Sequence, residues 1–491
     1  MAAARPIYFS AQIREVEARA RQSALMERAG IAAANLARQL LDTEGKSVLV
    51  IAGPGNNGGD ALVAARHLKS SWFNVTVLMA GNADNLPPDA AQAWQAWRDA
   101  GGSIAAGIPA DTRFDLVIDG LYGIGLQRDL AGNDARLVAA VNTLPATKLA
   151  LDTPSGIHAD SGRVMGCAVR ADHTLTFIGL KPGLLTGAGL DYCGELHLDT
   201  LDVAEADLPA PAGWTVESNA PCCKPRPQNS HKGQFGSIGI LGGAPGMVGA
   251  ALLAGRAALH TGAGRVYVGL IDDTLSVDVA QPELMLRKAS EIAEFGNADC
   301  LIAGMGLGQS SLASESLHRT VKQHVPLLLD ADALNILSHD AELQAELRAR
   351  SAVTVLTPHP GEAARLLGLS TQAVQDDRIG TACKLARHFA THVVLKGAGS
   401  VCVTPAGEWT INASGNPGLS SPGTGDVLAG MIGTLIAQNE DVEQAVRCAV
   451  YLHGAAADEL SAQGTGPIGL TASELLCAAR RLLNENCRTI C

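Results

Sequence analysis

Aromatic and charged side chains are both scarce in this sequence. Aromatics make up 3% of its 491 positions and charged residues 18%, against roughly a quarter charged in an average globular chain. A hydrophobic fraction of 47% excludes a disordered chain, which needs the opposite balance. Basic residues number 37 against 49 acidic, a formal net charge of −12. A nucleic-acid binder carries a basic face, so no nucleic-acid partner is expected. No apolar run approaches the roughly 18 residues of a membrane span, so no membrane partner is expected either. The opening MAAARPIYFSAQIREVEARARQ carries charges throughout and lacks the apolar stretch of a secretory leader. The eleven cysteines form no C-x-x-C pair. That argues against a zinc site or a disulfide framework and fits free thiols in a reducing cytoplasm.

What is abundant is glycine, 54 residues, set between short apolar runs. In the first half, Ser10 to Leu41 reads as helix. Strands are expected at 47–51, 74–79, 115–119, 148–152, 173–178 and 195–199, with helices from about Asp60 to Ser70, 89–100 and 135–142 between them. Continuous apolar strands alternating with helices predict a parallel sheet covered on both faces. Residues 208–229 hold five prolines without periodicity and read as an interdomain segment. The second half repeats the rhythm, with strands at 237–241, 265–270, 300–303, 326–330, 353–356 and 392–395. A hairpin is expected at 401–404/408–411, and terminal helices at 425–438, 442–462 and 472–484. Both halves are α/β, but their motifs differ, which indicates fusion rather than duplication. The division is residues 1–210, a Pro-rich linker 211–229, and residues 230–491.

In the first half, Gly53-Pro54-Gly55-Asn56-Asn57-Gly58-Gly59-Asp60 follows a strand and opens a helix. Such a loop presents backbone N–H groups and a helix N-terminus to an anion, so it is a plausible phosphate cradle. Asp119, in Asp119-Gly120-Leu121-Tyr122-Gly123, and Asp152, in Asp152-Thr153-Pro154-Ser155-Gly156, end strands on the same edge. Carboxylates, an Asn oxygen and a Ser hydroxyl there could hold a hard cation, and a carboxylate could move a proton. GPGNNGGD, DGLYGIGL and LDTPSG, in this order, resemble the NAD(P)H-hydrate epimerase family and its Rossmann-like three-layer sandwich. The resemblance implies substrate contacts from Asn56, Asn57, Gly58, Gly59 and Asp60, and from Gly123, Ile124, Gly125, Leu126, Gln127, Arg128 and Asp129. It implies potassium held by Asn57, Asp119 and Ser155, and Asp152 as substrate ligand and proton carrier. A non-catalytic binding or oligomerisation module is the alternative.

In the second half, Gly423-Thr424-Gly425-Asp426 opens a long apolar helix. Gly423 to Gly425 would aim N–H groups at a phosphoryl group, and Asp426 could deprotonate or orient an attacking hydroxyl. Lys396-Gly397-Ala398-Gly399-Ser400 follows a strand and suits a nucleotide phosphate. His359, in Thr357-Pro358-His359-Pro360-Gly361-Glu362, reads as a ligand contact on a rigid strand-end loop. Gly242–Gly246 and Gly304–Gly308 complete a ring of Gly-rich loops. The segment resembles the ribokinase-like superfamily, a three-layer α/β/α fold. With TPHPGEA and KGAGS it resembles the ADP-dependent NAD(P)H-hydrate dehydratases. That implies AMP on Lys396, Gly397, Ala398, Gly399, Ser400 and Gly425, and the hydrate on Ala250, Gly306, His359 and Asp426, with Asp426 catalytic. One departure is Pro422, where the pattern has Gly; Pro removes a donor and fixes φ.

The resemblances together imply a bifunctional repair enzyme. It would epimerise the R and S forms of hydrated NADH and NADPH, and dehydrate the S form with ADP, giving NAD(P)H, AMP and phosphate. Potassium serves the first half and magnesium with ADP the second; a homo-oligomer is expected. A small-molecule kinase is the alternative for the second half.

Overall fold

The computed structural model describes residues 4–19, 24–41, 46–216, 222, 226–439 and 441–488, the last three as backbone. The chain divides into two compact units, Pro6–Gly213 and Trp214–Cys491, with residues 1–5 joining the second.

The first unit is built on a seven-stranded sheet. Its strands are β1 (Ser47–Ala52), β2 (Asn74–Met79), β3 (Ile104–Ala105), β4 (Leu116–Gly120), β5 (Thr147–Leu151), β6 (His173–Phe177) and β7 (Glu195–Asp199). Their order is 3-2-1-4-5-6-7, and every pairing is parallel. Strand side chains alternate between faces. Val48 and Val50 enter one core, with Leu62 and Leu68 of the helix Asn56–Ser70. Leu49 and Ile51 enter the other, with Val138 and Val141 of Gly132–Thr143. Burial on both faces is why β1 reads as an unbroken apolar run. Trp97 is fully buried in the first core.

The strand order reverses between β1 and β4. In open α/β sheets, ligands bind beyond the carboxyl ends of the strands at such a point. The two loops there are GPGNNGGD and the segment after Asp119. The expected continuous helix is instead two, Ser10–Arg19 and Leu25–Leu40, the second preceded by Ala24 at φ 53°.

The second unit carries β8 (Gly213–Thr215), β9 (Ser237–Gly242), β10 (Arg265–Leu270), β11 (Met285–Lys288), β12 (Cys300–Ala303), β13 (Leu327–Leu329), β14 (Thr354–Leu356), β15 (His392–Leu395), β16 (Val401–Val403) and β17 (Trp409–Ile411). The order is 8-17-16-15-14-13-12-9-10-11; only β16 runs antiparallel to its neighbours. Here the switch point lies between β9 and β12, whose following loops are Gly242–Gly246 and Gly304–Gly308. Apolar helices Val248–His260, Thr424–Gln438 and Val442–Ala462 cover one face.

The segment expected to be a linker contains β8, a correction to the sequence reading. Trp214 and Thr215 pair with Thr410 and Ile411. Both are good strand formers, and they lie clear of Pro209 and Pro211. Residues 217–221 and 223–225 of that segment lie outside the described residues.

Among the described residues, no helix is long and apolar enough to cross a membrane. Among the cysteines with described side chains, six are buried, Cys167 is partly exposed and Cys477 is exposed. Burial pushes the thiols of Cys193, Cys300 and Cys402 up to about 12.

Candidate active sites

In the first unit the GPGNNGGD loop is shorter than expected, because the helix begins at Asn56. A Cβ on Gly58 would lie 2.0 Å from Gly53 O, so only glycine lets the first turn pack back on the strand end. Asn57 is buried by this turn, and both atoms of its side-chain amide are buried without a hydrogen-bond partner. An orphaned buried amide is costly, and a bound ion or water is one way such a group is satisfied.

Asp119 and Ser155 form one unit. Ser155 Oγ lies 2.6 Å from Asp119 Oδ1 and Ser155 N donates to Oδ2 at 2.9 Å. Leu121 N also reaches Oδ1, and Tyr122 N donates to Ser155 Oγ. Burial raises the Asp119 carboxyl, and the Ser155 and Leu121 hydrogen bonds partly oppose it.

Asp152 has φ 64°, an uncommon backbone for a non-glycine residue. Its Oδ1 is 2.6 Å from Lys181 Nζ and its Oδ2 accepts from Ile124 N at 3.0 Å. Lys181 is fully buried and also donates to Thr176 Oγ1 and Phe177 O. A Cβ on Gly123 would meet both Asp152 Oδ2 and the Asn57 amide carbon. The structure therefore brings Asn57, Gly123 and Asp152 together, with Lys181 behind.

A cleft of about 770 Å³ opens beside them, lined by Asn56, Asp60, Glu17, Arg14 and Phe177 among others. Arg14 donates to Ile124 O at 2.8 Å, tying the first helix to the loop. Burial and the neighbouring carboxylates of Asp152, Glu17 and Asp89 push Asp60 well above the usual carboxylate range. Burial, then Asp152, raises Glu17 to about 7, against Lys181 and Arg14. Of the segment 123–129, Ile124 and Leu126 point into the two cores, so only their backbone can meet a ligand. Gly125, Gln127, Arg128 and Asp129 are exposed.

In the second unit, Gly423 caps its helix at φ 86°, a left-handed conformation that suits glycine. The first-turn N–H groups of any helix lack internal acceptors. Asp426 sits in that turn. Burial pushes its carboxyl to about 7, helped by Asp330 and Asp332 and opposed by Lys396. Lys396 Nζ lies 2.6 Å from Asp330 Oδ1 and 3.5 Å from where a Gly425 Cβ would stand. The 396–400 loop and the helix start thus converge across the missing side chain of Gly425.

The Gly-rich loops are stitched together behind this point. Ala244 N donates to Gly306 O at 2.6 Å, and Gly308 N to Asp332 Oδ2 at 2.8 Å. A Cβ on Gly306 would stand 3.3 Å from Ala250 Cβ, so these two expected hydrate contacts are neighbours. Arg378, buried, donates to Leu395 O and Lys396 O at 3.3 Å and to Gly399 O at 3.5 Å, holding the 396–400 loop from beneath.

His359 is half-exposed and caps the helix Pro360–Leu367. Its Nδ1 accepts from Gly361 N, and its Nε2 is 3.3 Å from Glu362 Oε1. Burial lowers its pKa and raises Glu362 to about 7. His453, on Val442–Ala462, places Nε2 2.9 Å from Thr424 O, so Nε2 carries the proton. Burial lowers it to about 4.

Sequence reasoning missed Lys181, Asp330, Arg378 and His453. Lys181 alone carried a visible signal: a lysine within the apolar run Leu175-Thr176-Phe177-Ile178-Gly179-Leu180-Lys181 at a strand end.

Fold and sites define a two-unit α/β enzyme: a Rossmann-type sheet joined to a second, mostly parallel α/β unit, each with a polar site beyond the carboxyl ends of its strands. The family described as YjeF-related protein N-terminus matches residues 22–183, and that described as NAD(P)H-hydrate dehydratase matches 238–481. The chain is 38% identical to the bifunctional NAD(P)H-hydrate repair enzyme Nnr of Escherichia coli strain K12, covering 94% of this chain and 89% of that one. It is 37% identical to that of Coxiella burnetii, covering 97% and 99%. An ADP/ATP-dependent NAD(P)H-hydrate dehydratase structure from Bacillus subtilis aligns at a TM-score of 0.49 and 31% identity, over 54% of this chain and 94% of that one. The chain belongs to the bifunctional NAD(P)H-hydrate repair enzymes.

Proposed function

We propose that the first unit interconverts the R and S forms of hydrated NADH and NADPH, and that the second dehydrates the S form with ADP. The observation that carries the second half is the convergence of Asp426, Lys396 and Asp330 on the helix start opened by Gly423. Hydroxide is a poor leaving group. Asp426, poised near neutrality, takes the proton of the C6 hydroxyl, as suits a general base. The alkoxide oxygen attacks the β-phosphorus of ADP, and the bond to the α-phosphate oxygen breaks, releasing AMP. The first-turn N–H groups and Lys396 hold the transferring phosphoryl. The C6–O bond then breaks with loss of phosphate, and a proton leaves C5 to restore the dihydronicotinamide. Ala250 and Gly306 flank the hydrate, and Gly397 to Ser400 receive the AMP portion. The carboxylate oxygens of Asp330 would suit magnesium, which would supply charge neutralisation for the phosphates.

In the first unit, Asp152 binds the hydrate and carries a proton, its position fixed by Lys181. Asn57, Asp119 and Ser155 fit potassium: the Asn57 amide is buried and unmet, and all three offer the oxygen donors a hard cation prefers. The bound ion supplies a fixed positive charge to the cradle. A cytoplasmic homo-oligomer completes the reading, the location in keeping with a sequence that holds no C-x-x-C pair.

The test is Asp426→Asn with a racemic hydrate pool, ADP and magnesium. Dehydration should fall by at least 10³-fold, in the range of losing a group needed in the transition state, while epimerisation continues. Survival of dehydration would overturn the assignment. Release of a phosphorylated product without recovery of reduced nicotinamide absorbance would make the second unit a kinase.

A further inference from the structure

We propose that His173, Glu195 and His197 form a site for a first-row divalent transition metal, zinc being the best fit, separate from both active sites. His173 opens β6 and Glu195 opens β7, paired in register. His197 follows two residues on, so it shares the face of Glu195. These are the amino ends of the strands, opposite the edge that carries Asp119 and Asp152.

His173 Nδ1 lies 3.2 Å from His197 Nε2 and 3.6 Å from Glu195 Oε2. His197 Nε2 lies 3.9 Å from Glu195 Oε1. Zinc bonds of about 2.0–2.2 Å in a tetrahedron give ligand–ligand edges of roughly 3.3–3.6 Å. The two ring nitrogens stand just inside that spacing and Glu195 Oε2 at its upper end, so a small rotation of the exposed Glu195 side chain completes it. One ring-to-ring hydrogen bond explains the 3.2 Å contact, but it leaves the Glu195 carboxylate, 3.6–3.9 Å from both nitrogens, beyond hydrogen-bond reach of either. A cation at the centre satisfies all three groups. Two imidazoles and a carboxylate are borderline ligands that suit zinc, cobalt or nickel, not magnesium or potassium. The fourth position faces water, since both rings are partly exposed. Bound there, the ion ties the edge strand β7 to β6.

The test uses the full chain without an affinity tag, in saturating magnesium and potassium to fill hard-cation sites. Equilibrium dialysis against micromolar Zn²⁺ should retain one more equivalent in the natural sequence than in His173→Asn or in His197→Asn. Equal retention, or none, overturns the proposal. Epimerisation by His197→Asn should stay within about twofold, which shows that the variant folds. Should it not fold, Co²⁺ loaded into the unmodified chain decides. Visible bands of a low-coordinate nitrogen–oxygen site support the assignment, whereas a near-ultraviolet thiolate band places the ion on a cysteine and overturns it.

Discussion

Lys181 Nζ and Asp152 Oδ1 stand 2.6 Å apart, with the lysine withdrawn entirely from solvent and the aspartate held at φ 64°. Removing one member of a buried pair leaves an uncompensated charge and costs roughly 3–5 kcal/mol. Lys181→Met is therefore expected to destabilise the first unit by that amount and to abolish epimerisation. Dehydration of the S form should remain measurable below the first unit's melting temperature. Two-transition thermal melts with separate assays of the two activities check this.

Asn57→Ala removes an amide whose polar atoms have no partner in the protein. Its stability cost should be small, under about 1 kcal/mol, because no internal hydrogen bond is lost. Its effect should appear in the potassium response instead. Epimerisation by the natural sequence should rise with potassium and that of Asn57→Ala should not. Equal titration curves would remove Asn57 from the cation site.

Asp426 sits near 7 because it is buried and faces Asp330 and Asp332. Dehydration should fall about tenfold per pH unit below that point, while the epimerase half follows a different profile. The same shift has a stability consequence. With the folded pKa raised above the unfolded one, the folded state binds more protons between about 4 and 7, so Asp426 costs stability as pH rises through that window. Asp426→Asn should raise the melting temperature of the second unit at pH 8 and leave it nearly unchanged at pH 4. A loss at pH 8 would mean that Asp426 is held by interactions stronger than its repulsion.

Arg378 spans Leu395 O, Lys396 O and Gly399 O. Arg378→Lys cannot reproduce a planar fork of donors. The expected result is a KM for ADP raised at least tenfold, with the KM for the hydrate unchanged. A parallel rise in both would assign Arg378 to general stability.

His453 donates to Thr424 O as a neutral imidazole. His453→Phe should lower kcat of dehydration by displacing the first turn of the Asp426 helix. It should leave the Asp152 site untouched.

Much of the fold could be read along the chain wherever burial is two-sided. β1, β9 and β12 are short, mostly apolar runs because both faces are covered, and the helix Val442–Ala462 is legible from its apolar pattern. β11, Met285–Lys288, escaped notice because it is half-exposed and lies at the sheet edge. The acids and glycines of the sites were visible because each sits in a Gly-rich turn after a strand. Their partners were not. Lys181 lies 29 residues from Asp152, Lys396 lies 66 from Asp330, and His453 lies 29 from Thr424. A sequence shows which residue types are unusual in place, but the pairing that fixes their charge exists only once the sheet is assembled.

The buried thiols bear on when such a protein is needed. Peroxide attacks the thiolate, and Cys193, Cys300 and Cys402 are held up to about 12, so almost none is ionised at neutral pH. Oxidants would find little to attack at these three positions, and neither proposed site draws on a thiol. Catalysis through Asp152 and Asp426 therefore needs no reduced cysteine, unlike that of thiol-dependent enzymes.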